Sequence, residues 1–265
     1  MVKQDLNIAT IQADLFWEQH EKNLEHFSEK IAAIETGIDV IILPEMFTTG
    51  FTMNTDLISE QSTQQALEWM KAIAEKKNAA ICGSIAAKES DKFYNRLFWV
   101  NPDGNYFYYD KRHLFSLSDE PSNYCKGSSK LLVTYKGWKI CPLICYDLRF
   151  PIWSRNKMTN GSAEYDLLIY VANWPEKRIY AWQTLLQARA IENQCYVAGV
   201  NRVGKDGNDI NHNGVSLIID PLGMVMQHAA EEEKILTAKL SSEYLDKTRL
   251  NLTFLKDGDA FQINY

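Results

Sequence analysis

Short apolar segments alternate along the chain with longer segments in which apolar residues recur every three or four positions. LNIATIQ at 6–12 predicts a strand, and the stretch after it predicts an amphipathic helix. The apolar face of that helix comprises Leu24, Phe27, Ile31 and Ile34. A buried strand at 39–43, a helix through Leu67 and Met70, and a strand at 79–87 repeat the pattern. This alternation is typical of a layered α/β fold.

Beyond residue 90 the predicted strands follow one another directly. NRLFWV and YFYYD flank the turn sequence NPDGN, and LLVTY and WKICPLIC flank Lys136-Gly137, so each pair predicts a hairpin. A helical pattern returns at 177–193. The remaining predicted strands lie near 195–201, 214–220, 224–228 and 235–240, and the last of them ends the predicted core. Because no repeat or linker interrupts the pattern, we expect one domain over residues 1–265.

Composition limits the classes of partner. The 265 residues are 46% hydrophobic and 23% charged, as in folded globular proteins. The formal net charge of −6 gives no basic field for nucleic acid or for an anionic membrane surface. The first residues, MVKQDLNIATIQADLFW, lack the apolar run of a secretory signal, and no segment reaches membrane-spanning length. We therefore expect a cytoplasmic protein.

Five cysteines stand at positions 82, 125, 141, 145 and 195, an odd number without a regular spacing. Disulfides are not predicted. Cys141 and Cys145 are four residues apart, but no second Cys or His pair accompanies them at zinc-ligand spacing, so no metal is expected. A redox sensor would need Cys141 as resolving thiol, which the distance along a strand disfavours.

Cys145 is the strongest candidate nucleophile. It ends the apolar run KICPLIC, and Pro151 soon afterwards is suited to begin a helix. A strand-to-helix turn projects a nucleophile into a cleft and brings backbone N–H groups together beside it. A lone cysteine in this position is more simply a buried core residue. A catalytic thiol also needs a base, and of the five histidines only His113 lies in a segment of interest.

Two other ionisable residues follow apolar strands. VIILP leads directly into Glu45, and the aromatic strand YFYYD leads into Lys111. The carboxyl ends of strands are where α/β sheets place their sites. A salt bridge at the edge of a sheet remains the alternative for each residue.

Three motifs resemble the catalytic segments of the nitrilase, or carbon-nitrogen hydrolase, superfamily in their family order. They are LPEMF at 43–47, DKRHLF at 110–115 and CYDLRFP at 145–151. The similarity extends through ANWP at 172–175 and QARAIENQCYVAGVNRVG at 187–204 to DPLG at 220–223. The resemblance implies a four-layer α-β-β-α sandwich of the nitrilase type, pairing into homodimers, and a reaction without cofactor.

The resemblance also assigns roles. Glu45 matches the general base, Lys111 the cationic stabiliser and Cys145 the nucleophile, and the backbone N–H of Tyr146 completes an oxyanion hole. Glu120, in HLFSLSDEPSNY, resembles a second glutamate that orients the substrate amide, with an exposed loop acid as the alternative.

The walls of the cleft follow from the same segments. The loop at 112–129, with Phe115, is expected to fold over the cleft. Trp174 is expected to form an aromatic wall, although core packing explains an indole equally well.

The motifs are similar to those of the ω-amidase branch, which hydrolyses the terminal amide of 2-oxoglutaramate or 2-oxosuccinamate. Such substrates carry a carboxylate, so the pocket should hold a cation. Arg149, Lys177 and Arg178 are candidates, and Arg149 is equally explained by a structural ion pair.

Other substrates give a competing hypothesis: an aliphatic amide, a nitrile or an N-carbamoyl amine fits the same three residues. A non-catalytic binding protein on this scaffold is a further alternative. That alternative predicts replacement of a catalytic residue, whereas Glu45, Lys111 and Cys145 are all present.

Overall fold

The computed structural model describes residues 3–159 and 161–263. Its strands, in chain order, are β1 (Leu6–Gln12), β2 (Val40–Ile42), β3 (Ala80–Glu89), β4 (Lys92–Val100), β5 (Tyr106–Asp110), β6 (Val133–Tyr135), β7 (Trp138–Ile144), β8 (Met158–Thr159), β9 (Ser162–Ala163), β10 (Leu167–Ala172), β11 (Tyr196–Asn201), β12 (Val203–Lys205), β13 (Asn211–Asn213), β14 (Leu217–Ile219), β15 (Val225–His228) and β16 (Lys234–Leu240).

The helices, in the same order, are α1 (His20–Ala32), α2 (Glu60–Lys77), α3 (Glu120–Asn123), α4 (Pro151–Ser154), α5 (Ile179–Asn193) and α6 (Ser242–Asn251). The predicted strands and the three long predicted helices are confirmed, and Pro151 begins α4 as expected. The apolar residues predicted for the face of the first helix are all buried, although α1 ends at Ala32 and Ile34 lies just beyond it.

Two six-stranded sheets contain most of the strands. The first has the order β16-β1-β2-β3-β4-β5, and the second has the order β15-β14-β11-β10-β7-β6. In each sheet three central strands are parallel, β1-β2-β3 in one and β7-β10-β11 in the other. Antiparallel hairpins extend both sheets, including the two hairpins predicted from the sequence.

The layers follow from where the apolar side chains pack. One cluster joins α1 and α2 to the outer face of the first sheet, through residues such as Phe27 and Met70. A second cluster joins the two sheets face to face and continues to α5, through residues such as Trp99, Leu143 and Leu186. The result is the predicted four-layer α-β-β-α sandwich.

The predicted end of the core near residue 240 is wrong. Helix α6 follows β16, and its Leu245 is fully buried in the cluster between the sheets and α5. Arg249 fixes the helix, because Nη1 pairs with Asp166 Oδ1 at 2.6 Å. The apolar pattern of SEYLDKTRLN was too weak to predict a helix, since only Leu245 and Thr248 are buried.

None of the helices within the described ranges combines the length and the apolar character needed to cross a bilayer. The cytoplasmic location stays a prediction.

Candidate active site

The site lies where strands of both sheets end. Glu45 follows β2 of the first sheet, whereas Cys145 follows β7 and Asn173 follows β10 of the second sheet. These three strands are parallel members of their sheets, so their carboxyl ends meet at one edge of the sandwich. Lys111 follows β5 and reaches the same place. All four residues line one cavity of ≈ 220 Å³.

Cys145 occupies a sharp turn between β7 and a 3-10 helix at Cys145–Arg149. Its φ of 42° is in the left-handed region, which non-glycine residues rarely adopt. Such a conformation is kept only where the surrounding structure enforces it, and it is frequent at active sites. The first N–H groups of the 3-10 turn, including that of Tyr146, need partners from outside the turn.

Asp147 holds that turn in place. The buried carboxylate accepts hydrogen bonds from the Tyr109 hydroxyl and from Ile144 N, at 2.8 and 3.1 Å. It also pairs with His113 Nδ1 at 2.8 Å, and the His113 ring stacks on Phe150. His113 therefore supports the turn and does not line the cavity. The sequence offered no signal for Asp147 beyond its place within CYDLRFP.

Lys111 lies between the two glutamates. Its Nζ donates to Glu45 Oε1 at 2.9 Å and to Glu120 Oε1 at 2.9 Å, and all three side chains are buried. The alternative that Glu120 is an exposed loop acid is therefore wrong, because Glu120 is fully buried. The alternative of a salt bridge at the edge of a sheet does not describe Glu45 and Lys111 either. Their ion pair is buried, and both residues line the cavity.

Glu120 stands behind Lys111 and is not among the residues that line the cavity. It also accepts from the backbone N–H of Phe115, so it fixes the start of the loop over the cleft. The geometry places Glu120 to act on Lys111, whereas the sequence predicted that it orients the substrate amide.

Asparagine side chains that the sequence did not predict complete the network. Asn95 Nδ2 donates to Glu45 Oε1 at 2.8 Å and to Glu120 Oε1 at 3.2 Å, while Asn95 Oδ1 accepts from Ser84. Asn173 N donates to Glu45 Oε2 at 2.8 Å. Both carboxylate oxygens of Glu45 are thus held, and Asn95 and Asn173 keep that carboxylate in one orientation.

Burial dominates the electrostatics of the site. Burial raises the pKa of the Cys145 thiol well above its usual range, the charge of Glu45 raises it further, and Lys111 opposes both. Burial alone would lower the pKa of Lys111, but the charges of Glu120 and Glu45 outweigh it and the net pKa is raised. Burial also raises the pKa of Glu120, against the effect of Lys111. Cys145 therefore rests as a protonated thiol, and Lys111 rests as an ammonium.

The four residues predicted to contact the substrate line the cavity: Phe115, Tyr146, Arg149 and Trp174. Phe115 packs edge-on against Tyr146, with ring centroids 5.1 Å apart. Trp174 also packs on Trp182, so the wall and the core interpretations of Trp174 both hold. Lys177 is exposed and does not line the cavity, so it is wrong as a carboxylate partner.

A hairpin that the sequence did not predict closes the other side of the cavity. Strands β12 and β13 pair, and Asp206, Asn208, Ile210 and His212 reach the cavity from this hairpin. Burial lowers the pKa of His212 to about 4, and the nearby Arg202 lowers it as well. His212 is therefore neutral at pH 7. GKDGNDIN, rich in turn residues, was the available signal for the hairpin.

Comparison with known proteins identifies the family. The family model for carbon-nitrogen hydrolases matches residues 7–250. The chain belongs to the carbon-nitrogen hydrolase family. A relative named ω-amidase YafV, from Escherichia coli strain K12, is 44% identical over 259 residues, covering 97% of this chain and 98% of the relative. A relative named 2-oxoglutaramate amidase, from Bacillus subtilis strain 168, is 34% identical and covers 94% of this chain and 96% of its own.

A solved structure gives the same result for the fold of this carbon-nitrogen hydrolase. XC1258 from Xanthomonas campestris, a CN-hydrolase superfamily protein with an arsenic adduct in its active site, aligns with a TM-score of 0.92. It is 39% identical, and the alignment covers 98% of this chain and 99% of XC1258. The four-layer sandwich is therefore the fold of the family.

Proposed function

We propose that this protein is an ω-amidase, which hydrolyses the terminal amide of a 2-oxo acid monoamide to the dicarboxylate and ammonia. The substrates are 2-oxoglutaramate or 2-oxosuccinamate, and the reaction passes through a thioester on Cys145. The full-length similarity to proteins named ω-amidase and 2-oxoglutaramate amidase supports this choice among the linear amides.

One observation carries the chemical part of the proposal. Lys111 Nζ lies 2.9 Å from Glu45 Oε1 at the base of the cavity that Cys145 also lines. A carboxylate, an ammonium and a thiol are thereby available to one bound amide. This set supplies a base, a charge for a developing oxyanion and a nucleophile.

The first half-reaction acylates Cys145. Because the thiol rests protonated, Glu45 accepts its proton as sulfur attacks the amide carbonyl carbon. The oxyanion of the tetrahedral intermediate is stabilised by Lys111 and by the backbone N–H of Tyr146. The carbon–nitrogen bond then breaks, Glu45 returns the proton to nitrogen, and ammonia leaves. Glu120 and Asn95 keep Lys111 and Glu45 aligned throughout.

The second half-reaction releases the acid. Water enters the position that ammonia left, Glu45 accepts a proton from it, and the hydroxide attacks the thioester carbonyl. The carbon–sulfur bond breaks, and the thiolate takes the proton back from Glu45. Every bond and proton in the cycle is accounted for by the amide, Cys145, Glu45 and water.

Ammonia release from 2-oxosuccinamate tests the proposal. The parent protein should release ammonia, and the Cys145→Ala variant should release none above background. Cys125→Ala is the matched control, because Cys125 is a partly exposed cysteine outside the cavity, and this variant should keep the parent rate.

The other outcomes separate the alternatives. Equal release by the parent and by Cys145→Ala would exclude Cys145 as nucleophile. If the parent releases no ammonia from either 2-oxo acid amide, the ω-amidase proposal fails. Assays with an aliphatic amide, a nitrile and an N-carbamoyl amine then identify which carbon–nitrogen bond the same residues cleave.

A further inference from the structure

The charged residues of the cavity fall into two groups. At the base, the ammonium of Lys111 pairs with Glu45 and with Glu120 behind it, so this group carries no excess of positive charge. Higher in the cavity, Arg149 and Arg178 come from two different 3-10 turns, at Cys145–Arg149 and Glu176–Arg178. Among the described residues, neither arginine has a carboxylate within the 4.0 Å of an ion pair. The structural ion pair that was the alternative role of Arg149 is therefore absent from the part of the chain that the structure describes.

Aromatic rings support both guanidinium groups. Arg149 Cζ lies 4.8 Å from the ring centroid of Trp174, and Arg178 Cζ lies 5.2 Å from the ring centroid of Phe115. The Trp174 ring is fixed in turn, since its Nε1 donates to Arg178 O at 2.8 Å. A guanidinium held against a ring keeps N–H donors free for an oxygen ligand.

The remaining polar groups of the cavity offset only part of this positive charge. Asp206 contributes one negative charge against the two guanidinium groups and forms an ion pair with neither; its Oδ1 accepts from the backbone N–H groups of Asn208 and Ile210, at 2.8 and 3.0 Å. His212 is neutral at pH 7. This part of the cavity therefore carries an excess of positive charge, which favours an anionic ligand.

We propose that Arg149 and Arg178 together bind the 2-oxo acid end of the substrate, its carboxylate and the adjacent keto oxygen, while the amide lies at Cys145. The inference rests on the proposed function and names the residues that select its substrate class. Three acceptor oxygens match the donors of two guanidinium groups. The same two cations repel the 2-ammonium group of asparagine, which otherwise has the skeleton of 2-oxosuccinamate.

A matched pair of substrates tests the assignment. Acetoacetamide is 2-oxosuccinamate with a methyl group in place of the carboxylate. The measured quantity is the ratio of kcat/KM for 2-oxosuccinamate to kcat/KM for acetoacetamide, in which general damage to the site cancels. We expect this ratio to fall at least about 30-fold in Arg149→Met and in Arg178→Met, because each variant removes a charged hydrogen bond.

Two further variants sharpen the test. Lys177→Met removes a neighbouring cation that does not line the cavity, and it should leave the ratio within about twofold of the parent value. Arg178→Lys keeps the charge but loses the fork of donors, so its ratio should lie between those of the parent and Arg178→Met. Asparagine should be hydrolysed at least about 100-fold more slowly than 2-oxosuccinamate by the parent.

The outcomes distinguish this inference from the function on which it rests. Hydrolysis of 2-oxosuccinamate with an unchanged ratio in both methionine variants would overturn the subsite and keep the ω-amidase activity. An equal fall in Lys177→Met would reduce the effect to general surface charge and would also overturn it. A parent protein that hydrolyses no 2-oxo acid amide would overturn both proposals.

Discussion

Two hydrogen bonds join Asn173 to Glu45 across the boundary between the two sheets. Asn173 N donates to Glu45 Oε2 at 2.8 Å, and Asn173 Nδ2 donates to the backbone oxygen of Glu45 at 2.6 Å. Glu45 follows β2 of the first sheet, and Asn173 follows β10 of the second. The position of the proposed general base therefore depends on how the two sheets dock.

Replacing Asn173 with alanine should reduce both stability and turnover. The variant keeps the backbone N–H but leaves the buried carbonyl of Glu45 without its donor, which costs about 1–3 kcal/mol of unfolding free energy. We expect kcat to fall at least about tenfold, because Glu45 is no longer fixed relative to Cys145. Denaturant unfolding and steady-state kinetics measure the two effects.

Asn123→Ala is the matched control for that variant. Asn123 Nδ2 also donates to a backbone oxygen, that of Asp119 at 2.8 Å, but outside the cavity. It should leave kcat unchanged. A stable Asn173→Ala protein with the parent kcat would show that the link between the sheets does not position Glu45.

Glu120→Gln should lower kcat by about 10- to 100-fold with a smaller change in KM. Glutamine keeps an acceptor for Phe115 N but removes one of the two negative charges beside Lys111. Asp119→Asn removes the adjacent, exposed carboxylate and should have no effect on either constant. A large rise in KM alone would instead favour the predicted contact between Glu120 and the substrate amide.

The raised pKa of Cys145 makes a prediction for the free enzyme. A raised pKa means that the thiol is protonated at neutral pH, so thiolate appears only as the pH rises above the ordinary range of a cysteine. Modification of Cys145 by methyl methanethiosulfonate should therefore keep accelerating beyond pH 9, without a plateau near neutrality. Intact mass, with Cys145→Ala to subtract the other thiols, follows the reaction. A plateau below pH 8 would indicate a preformed thiolate and contradict the proposed role of Glu45 as base.

The chemistry of the site was predictable from the sequence because it lies in three short motifs. Glu45, Lys111 and Cys145 each end an apolar run, and the structure brings all three to one cavity. Their local settings, a strand end or a sharp turn, follow from the adjacent residues. The catalytic roles of these residues stay predictions until they are measured.

The supporting residues were not predictable, because their partners are distant in the sequence. Asn95 lies 50 positions from Glu45, and Asn173 lies 128 positions from it. An asparagine in a strand or after one carries no local sign that its amide will reach a buried carboxylate. The same limit applies to Asp147, whose partner His113 is 34 positions away. Asn173 and Asp147 reach their partners through the docking of the two sheets, whereas Asn95 meets Glu45 within the first sheet, and no local pattern encodes either kind of contact.

His212 should make the protein sensitive to acid. Its folded-state pKa of about 4 is below the ordinary value, so the unfolded state binds its proton first as the pH falls. The neutral form of His212 costs no stability above about pH 6.5. Its effect lowers the free energy of unfolding as the pH falls from about 6.5 to about 4. The lowered pKa corresponds to a loss of about 2–3 kcal/mol of unfolding free energy between pH 7 and pH 4.5.

His212→Gln tests that effect, since glutamine does not titrate. The free energy of unfolding should fall less steeply with acid in the variant than in the parent, by about 2–3 kcal/mol over that range. Parallel pH profiles for the two proteins would show that His212 titrates normally in the folded state.

The homodimer implied by the family resemblance stays a prediction, and one apolar patch allows a direct test. Ile191 of α5 and Met224 before β15 are 55% and 67% exposed, and Leu222, on the other side of Gly223 in the sequence, is 45% exposed. Ile191 packs on Gly223, where a Cβ would come within 2.6 Å of the isoleucine side chain, so these residues form one surface. Contiguous exposed apolar residues mark interfaces more often than isolated ones.

Ile191→Glu and Met224→Glu should each convert a dimer into a monomer, because the twofold symmetry places the new carboxylate twice in an apolar interface, where it has no partner. Light scattering after size exclusion measures the mass. Leu57→Glu places the same charge on an equally exposed leucine in another element and should keep the parent mass. If the parent is already a monomer, the family resemblance does not extend to its assembly. If the parent is a dimer and both patch variants remain dimeric, the interface lies elsewhere on the sandwich.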